Sequence, residues 1–329
     1  MSLLEIRGLR TSFELPAGPV PAVDGVDLAL NRGETLALVG ESGSGKSVLS
    51  LSVMGLVPHP GRIVGGSIRF DGTELTHLPA ARMRALRGNR LAMVFQDPMT
   101  SLNPVLRVGG QIAEVLRLHR GLDRGEALRR AVELLDAVGI PDPERRIRAF
   151  PHQLSGGMRQ RVMIAMALAC DPDLLIADEP TTALDVTIQA QILDLLKDLQ
   201  RRTGAAILFV THDLGVVAEV ADRVAVMYAG RIVEEASAGA LFATPRMPYT
   251  AALMASVPRL DGGVGRLAAI EGAVPSPTAR PSGCAFHPRC GFAVDACRDR
   301  APGVSRVAEG HSVRCHRWEE VDTGIEQAG

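Results

Sequence analysis

Short apolar segments alternate with amphipathic segments along most of the chain, which is the pattern of an α/β protein. Bounded apolar runs predict buried strands at Thr35–Val39, Leu91–Phe95, Leu174–Ala177, Ala205–Val210 and Val224–Met227. The Asp-Gly pair at 71–72 follows the apolar segment 67–70 and predicts a hairpin turn. The pattern therefore indicates a largely buried sheet with helices between its strands.

Helical periodicity is clearest between Ile188 and Arg202, and Gly204 is placed to end that helix. The apolar residues on its buried face are Ile192, Leu195, Leu196 and Leu199. Between residues 97 and 153 helical patterns replace the alternation, as at 111–119 and 126–138, which predicts a helical insertion. After about Phe242 proline and glycine become frequent, which predicts a small appended module.

Composition excludes several classes of function. The chain has 329 residues, of which 36 are Lys or Arg and 37 are Asp or Glu. Its net charge of −1 therefore gives no positive electrostatic field that would attract nucleic acid. No apolar run is long enough to cross a bilayer. The first residues lack the basic and long apolar regions of a secretory signal. We therefore expect any membrane role to come through partner subunits.

A glycine-rich segment at residues 40–47, GESGSGKS, matches the Walker A pattern. Glycines permit the dihedrals that turn several N–H groups toward a polyphosphate, and the following helix presents its positive end. Lys46 adds a full charge for the β- and γ-phosphates, and Ser47 can ligate Mg²⁺. The predicted nucleotide contacts are Gly40, Ser42, Gly43, Ser44, Gly45, Lys46, Ser47 and Val48.

Two carboxylates end the predicted strand at residues 174–179, LLIADE, which is a Walker B arrangement. Asp178 is predicted to hold Mg²⁺ and Glu179 to act as the general base on the attacking water. An acidic pair at a strand end is also a common helix-entry cap, so the prediction depends on the Walker A segment upstream.

Residues 154–158, LSGGM, resemble the signature of the ATP-binding-cassette (ABC) family, normally Leu-Ser-Gly-Gly-Gln. Met158 replaces the glutamine, a variant also seen in peptide-importer ATPases. Ser155 is a good N-cap, and Gly156 and Gly157 let a phosphate approach the N–H groups of the following helix. Taken alone, the four matching residues at 154–157 would fit an ordinary capped loop. The resemblance covers roughly residues 1 to 240.

The resemblance implies further site residues. Phe13 is placed like the aromatic that stacks on adenine, although a core role is the alternative. Gln96 matches the Q-loop glutamine, Asp185 the D-loop and His212 the switch histidine that contacts the γ-phosphate. The implied catalytic residues are Glu179, His212, Gln96 and Lys46. The implied Mg²⁺ ligands are Ser47, Gln96 and Asp178.

The family implies a P-loop NTPase nucleotide-binding domain with a RecA-like core, an antiparallel β subdomain and a helical insertion. We expect the catalytic core at residues 1–96 and 154–242, the helical subdomain at 97–153 and a C-terminal extension at 243–329. In this family two cassettes face head to tail. Each ATP lies between the Walker A of one chain and the signature of the other, and hydrolysis lets the pair separate.

Residues 97–104 (DPMTSLNP), 248–250 (PYT) and 283–290 (GCAFHPRC) are similar to the oligopeptide/dipeptide/nickel importer ATPases. This implies an ATPase that powers uptake of oligopeptides or dipeptides from the cytoplasmic face of the membrane. The implied partners are two permeases, a second cassette (a paralogue or an identical copy) and, indirectly, an extracytoplasmic binding protein. Segment 97–104 would receive a coupling helix, or else only shape the loop of Gln96.

Three other functions are weighed against this one. Nickel or another small solute is the alternative cargo. A soluble ABC ATPase acting on ribosomes or DNA is disfavoured by the single cassette and the lack of a basic tail. A redox or metal sensor does not explain a complete catalytic set.

Cysteines divide into one isolated residue and one late group. Cys170 is predicted to be a buried thiol. The late group, spaced C-x₅-C-x₆-C-x₁₇-C, fits neither common zinc ribbons nor ferredoxin runs. A reducing compartment disfavours disulfides. The family resemblance implies a [4Fe–4S] cluster on Cys284, Cys290, Cys297 and Cys315, with zinc or unligated thiols as alternatives.

Overall fold

A computed structural model describes residues 2–16, 18–97, 101–181, 186–256 and 270–321. Asp185 and residues 98–100, which carry the D-loop prediction and part of the importer segment, lie outside these ranges. The chain forms two compact units. The helical unit comprises Met1–Leu3, Leu30–Glu34 and His77–Phe209. The phosphate-loop unit comprises Leu4–Ala29, Thr35–Thr76 and Val210–Gly329.

Strands and helices alternate through most of the described ranges. The strands are β1 (Ser2–Leu15), β2 (Gly18–Asn31), β3 (Thr35–Val39), β4 (Gly61–Phe70), β5 (Thr73–Glu74), β6 (Leu91–Val94), β7 (Leu174–Asp178), β8 (Ala206–Thr211), β9 (Arg223–Tyr228), β10 (Arg231–Ser237), β11 (Ser305–Ala308) and β12 (His311–Val313). The helices are α1 (Lys46–Met54), α2 (Ala80–Leu86), α3 (Val108–Arg120), α4 (Arg124–Ala137), α5 (Pro143–Arg146), α6 (Gly156–Leu168), α7 (Val186–Thr203), α8 (Leu214–Val220), α9 (Ala238–Ala243), α10 (Pro248–Ala255) and α11 (Asp295–Asp299). The five predicted strands and the predicted helix at 188–202 are thus confirmed, with shifts of one or two residues at their ends.

In the phosphate-loop unit, β3 and β9 pair in parallel, and Leu36 lies opposite Arg223. Strand β10 pairs antiparallel with β9 and with β12, and β11 completes this edge. All five residues of β3 are buried, as expected of a parallel strand covered on both faces. A second, antiparallel sheet has the order β2-β1-β4-β5. Its β4–β5 hairpin turns at residues 71–72, as the Asp-Gly pair predicts.

In the helical unit, β6 and β7 pair in parallel, and β8 lies next to β7. Helices α3 and α4 lie within residues 97–153, where the sequence predicts a helical insertion, and they pack on each other and on α6. Asp123 starts α4 with a capping box: its side chain accepts from the Glu126 N–H at 2.9 Å, and Glu126 accepts from the Asp123 N–H at 3.4 Å. This reciprocal cap fixes where α4 begins.

The segment after residue 242 packs into the core of the phosphate-loop unit. Tyr228 of β9, Tyr249 of α10 and Phe286 form an aromatic cluster with ring centroids 4.5 to 5.3 Å apart. Val313 and Cys315 join the same buried cluster as the β3 and β9 side chains. The appended segment therefore shares its hydrophobic core with β9 and with β3, the strand that leads to the Walker A loop. None of the helices in the described ranges is long and apolar enough to cross a membrane.

Candidate nucleotide site

The Walker A loop joins β3 to α1 in a tight glycine turn. Gly40, Gly43 and Gly45 have φ angles of +153°, +79° and +107°, which favour glycine. A Cβ on Gly45 would lie 2.5 Å from the Ala22 carbonyl oxygen, and one on Gly40 would lie 2.2 Å from that of Met227. The dihedrals therefore favour glycine at all three positions, and close backbone contacts also require it at Gly40 and Gly45.

The N-terminus of α1 is arranged to receive an anion. Its N-cap residue is Gly45, which has no side chain that could cap the N–H groups of the first turn. Lys46 is 5% exposed, and its Nζ donates to the carbonyl oxygens of Gly40 at 2.7 Å and Glu41 at 3.1 Å. A lysine charge and a helix N-terminus thus meet in one loop, as a polyphosphate requires.

Two further predicted residues lie in the same unit. Phe13 of β1 pairs with Gly61 of β4, and its ring edge lies 2.7 Å from where a Gly61 Cβ would stand. Its ring is partly exposed, so stacking on adenine stays a prediction. His212 is exposed between β8 and α8. The Asp213 N–H donates to Thr211 Oγ1 at 3.0 Å, which shapes this turn.

The helical unit holds the predicted carboxylates. Strand β7 ends at Asp178, which is 4% exposed. Glu179 follows with φ +48°, a left-handed conformation uncommon outside glycine. The Gln96 side-chain amide donates to Glu179 Oε2 at 2.9 Å. The structure thus brings the predicted Q-loop residue to the predicted base, and strained backbone of this kind clusters at functional sites.

The signature segment caps α6. The Ser155 hydroxyl accepts from the Met158 N–H at 3.3 Å, so Ser155 is the N-cap that the sequence predicts. Ser155 and Gly156 are exposed, and a Cβ on Gly156 would meet no atom within 4 Å. This helix start therefore has room for a ligand or another chain.

Sequence reasoning missed a contact between the C-terminal segment and the Walker A loop. Arg289, 5% exposed, donates to both carboxylate oxygens of Glu41, at 2.7 and 2.9 Å. The hydrogen bonds to Glu41 raise the pKa of the Arg289 guanidinium, although burial opposes this shift. The Glu41 N–H also donates to the Tyr249 hydroxyl at 2.8 Å. In the sequence, this contact was indicated only by the family resemblance of segment 283–290. That segment contains Arg289 but gives no information about which residue Arg289 contacts.

The four late cysteines lie near one another without forming a metal site. The Cys284 N–H donates to the Cys297 carbonyl at 2.8 Å. Burial, together with the charges of the other three thiols, raises the pKa of Cys315 to about 11. Within the described residues, however, no three His, Cys, Asp or Glu side chains form a group able to hold a metal ion. The side chains as placed do not fit a [4Fe–4S] cluster or zinc, so the predicted cluster is not supported. Cys170 is buried, as predicted.

Comparison with known proteins places this geometry in a family. The chain is 53% identical to the oligopeptide transport ATP-binding protein AppD of Bacillus subtilis, over 99% of both chains. It is 49% identical to the dipeptide transport ATP-binding protein DppD of Escherichia coli, over 96% of this chain and 97% of that protein. The chain belongs to the ABC transporter ATP-binding family.

Two family models match this cassette. The ABC transporter model matches residues 23–182, and the model of the oligopeptide/dipeptide transporter C-terminal region matches residues 233–297. Among solved structures, the cassette is similar to MJ0796 in a dimeric post-hydrolysis state bound to ADP and Pi. The TM-score is 0.66 and the identity 29%, over 71% of this chain and 98% of MJ0796. The expected ABC cassette fold is therefore confirmed.

Proposed function

We propose that this cassette hydrolyses ATP to power the import of oligopeptides or dipeptides. The observation that carries the proposal is the match of residues 233–297 to the C-terminal region of oligopeptide/dipeptide transporters, in a chain that also has an ABC match at 23–182. AppD and DppD, similar over nearly the whole length, are named for oligopeptide and dipeptide transport. The cassette would act at the cytoplasmic face of the membrane beneath two permeases, with a binding protein outside.

The phosphate-loop unit would bind the phosphates. Lys46 neutralises the β- and γ-phosphates, while the N–H groups around Gly43 and Gly45 turn toward the phosphate oxygens. Phe13 stacks on the adenine and His212 contacts the γ-phosphate. Each of these roles uses a residue whose local backbone is held by the contacts described above.

The helical unit would supply the hydrolytic group. Glu179 accepts a proton from the attacking water, and its hydrogen bond from the Gln96 amide orients the carboxylate. Hydroxyl, amide and carboxylate oxygens at Ser47, Gln96 and Asp178 are the donor types that Mg²⁺ prefers, and Asp178 is a buried carboxylate. When bound, Mg²⁺ would neutralise charge on the phosphate oxygens.

Cassette dimerisation would convert hydrolysis into movement. Ser155, Gly156 and Gly157 at the start of α6 would contact the nucleotide held by a second cassette, and the exposed start of that helix supports this role. Loss of the γ-phosphate then removes a contact that favours the closed pair. The second cassette would be a paralogue or another copy of this chain.

The mechanistic test replaces Glu179 with glutamine. E179Q keeps the shape of the side chain but loses the base, so we expect ATP binding to persist while turnover falls to background. Exposed Glu309→Gln serves as the matched control and should hydrolyse ATP like the wild type. Hydrolysis that survives E179Q would remove Glu179 from the role of base.

The cargo is tested separately, in vesicles that hold the cassette with its permeases and binding protein. We expect ATP-dependent uptake of short peptides and none of Ni²⁺. Uptake of Ni²⁺ alone would reject the peptide proposal and keep the ATPase.

The iron–sulfur cluster has no part in this mechanism, because the described thiols are not arranged to hold it. Iron and sulfide analysis of anaerobically purified protein tests that exclusion directly.

A further inference from the structure

A small cavity of about 260 Å³ lies in the phosphate-loop unit, between the β9–β10 turn and the C-terminal segment. Three arginines and one aspartate among its lining residues leave a surplus of two positive charges. Apolar side chains form much of the remaining wall, namely Tyr228, Val233, Met247, Pro281 and Phe286. A positive cavity with an apolar wall fits a ligand that has an anionic group and an apolar body.

Two of these arginines already bind Asp24 through Oδ2, and Arg10 Nε lies 3.6 Å from its Oδ1. Asp24 Oδ2 accepts from Arg231 Nε at 3.0 Å and Nη2 at 2.8 Å, and from Arg280 Nη1 at 3.1 Å. Burial raises the pKa of Asp24, but the hydrogen bond from Arg231 and the nearby arginine charges outweigh burial and hold it below its ordinary value. Asp24 therefore remains charged, but its single negative charge cannot balance the three arginines of the cavity.

Two arginines that line this cavity differ in their partners. Arg280 donates from Nη1 to Asp24 and from Nη2 to the Pro21 carbonyl oxygen at 2.7 Å. Arg314 is half-buried, and within the described residues its guanidinium has neither a hydrogen bond nor an ion pair, although its backbone N–H donates to the Val233 carbonyl at 2.7 Å. Burial, then the charge of Arg231, lowers the pKa of both side chains. A partly desolvated guanidinium without an acceptor favours an anion, which would add charge-assisted hydrogen bonds.

We propose that this cavity binds a small organic carboxylate with an apolar side chain, of which the carboxyl end of a short peptide is the best match. The carboxylate would accept from Arg280 and Arg314, and the apolar group would pack on Phe286. The bound ligand would adjoin the Walker A loop, because the Gly230 N–H in the cavity's β9–β10 turn donates to the Ser44 carbonyl at 2.8 Å. The choice of a peptide rests on the proposed function; the anion site itself does not.

The test measures binding to the full chain by titration calorimetry, with the Walker A loop saturated with ADP so that only the cavity is open to an anion. The probes are the dipeptide Ala-Phe, its C-terminal amide and inorganic phosphate. We expect Ala-Phe to bind, and the amide to bind at least about tenfold more weakly because it cannot form charge-assisted hydrogen bonds with arginine. Phosphate, lacking the apolar group, should also bind more weakly. Equal affinity for acid and amide, or for phosphate and Ala-Phe, would overturn the proposal.

Arg314→Gln should weaken Ala-Phe binding at least about tenfold. Exposed Arg306→Gln, on the neighbouring strand β11, is the matched control and should bind like the wild type. Unchanged binding by R314Q would overturn the proposal, and the wild-type comparison of acid with amide stands even if that variant is unstable. ATP binding is measured on the same preparation before ADP is added: ATP binding without Ala-Phe binding rejects this site alone, whereas loss of both rejects the proposed function first.

Discussion

The ion pair between Arg289 and Glu41 should be among the stabilising contacts of the phosphate-loop unit. Arg289→Met keeps the length and apolar stem of the side chain but removes its charge. The two side chains are 5% and 27% exposed. Removing one partner of a buried pair costs roughly 3–5 kcal/mol, because the other charge is left buried. Since Glu41 is partly hydrated, we expect the lower end, about 3 kcal/mol.

The assay is urea unfolding followed by tryptophan fluorescence. The single tryptophan of the chain, Trp318, packs against the core cluster that contains Phe286, so it reports on the relevant unit. With a slope of roughly 3 kcal/mol per molar urea, a loss of about 3 kcal/mol lowers the midpoint by about 1 M.

The matched control is Arg298→Met, which removes an exposed ion pair with Asp295 from the same segment. Exposed pairs contribute little, so its effect should stay within about 0.5 kcal/mol. A double-mutant cycle with Glu41→Gln should give a coupling energy of about 2 kcal/mol. Midpoints of R289M and R298M that coincide would refute the reasoning.

Three further predictions follow from local geometry. Gly45→Ala should abolish ATP binding, measured with a fluorescent analogue, since its Cβ would lie 2.5 Å from the Ala22 carbonyl; retained affinity would contradict the loop geometry. Gly156→Asp should leave the free energy of unfolding within about 1 kcal/mol, because the site is open, yet prevent ATP-dependent pairing with the second cassette in size-exclusion chromatography. Pairing that persists would remove the signature from the interface. With its pKa near 11, Cys315 should be about 0.1% thiolate at pH 8, against about a quarter for an ordinary cysteine. It should therefore resist iodoacetamide in the folded protein but not in urea, and equal labelling would contradict its burial.

The catalytic segments were predictable because their chemistry depends on short stretches of chain. The Walker A loop needs glycines between a strand and a helix, and all of these glycines lie within the short segment 40–47. Likewise, the predicted cap at Ser155 acts on an N–H three residues away. Strand β6 ends one residue before the predicted limit, because Phe95 is 37% exposed and leaves the buried run.

Long-range contacts were not predictable from one sequence. Glu41 and Arg289 are 248 residues apart, and no local pattern links them. Asp24 and Arg280, separated by 256 residues, meet only because the C-terminal segment folds back onto strands β9 and β10. The long strands β1 and β2 were missed because exposed or partly buried residues interrupt their buried ones, so no continuous apolar run marks them.

The interface between cassettes is tested most directly by a photoreactive ATP with its reactive group on the γ-phosphate. The tagged chain carries Gly45→Ala, so it holds no nucleotide of its own, and is assembled with a partner cassette that binds ATP normally. The account predicts that label reaches the tagged chain within residues 155–157. Label confined to the partner cassette, with the assembly intact, would contradict it.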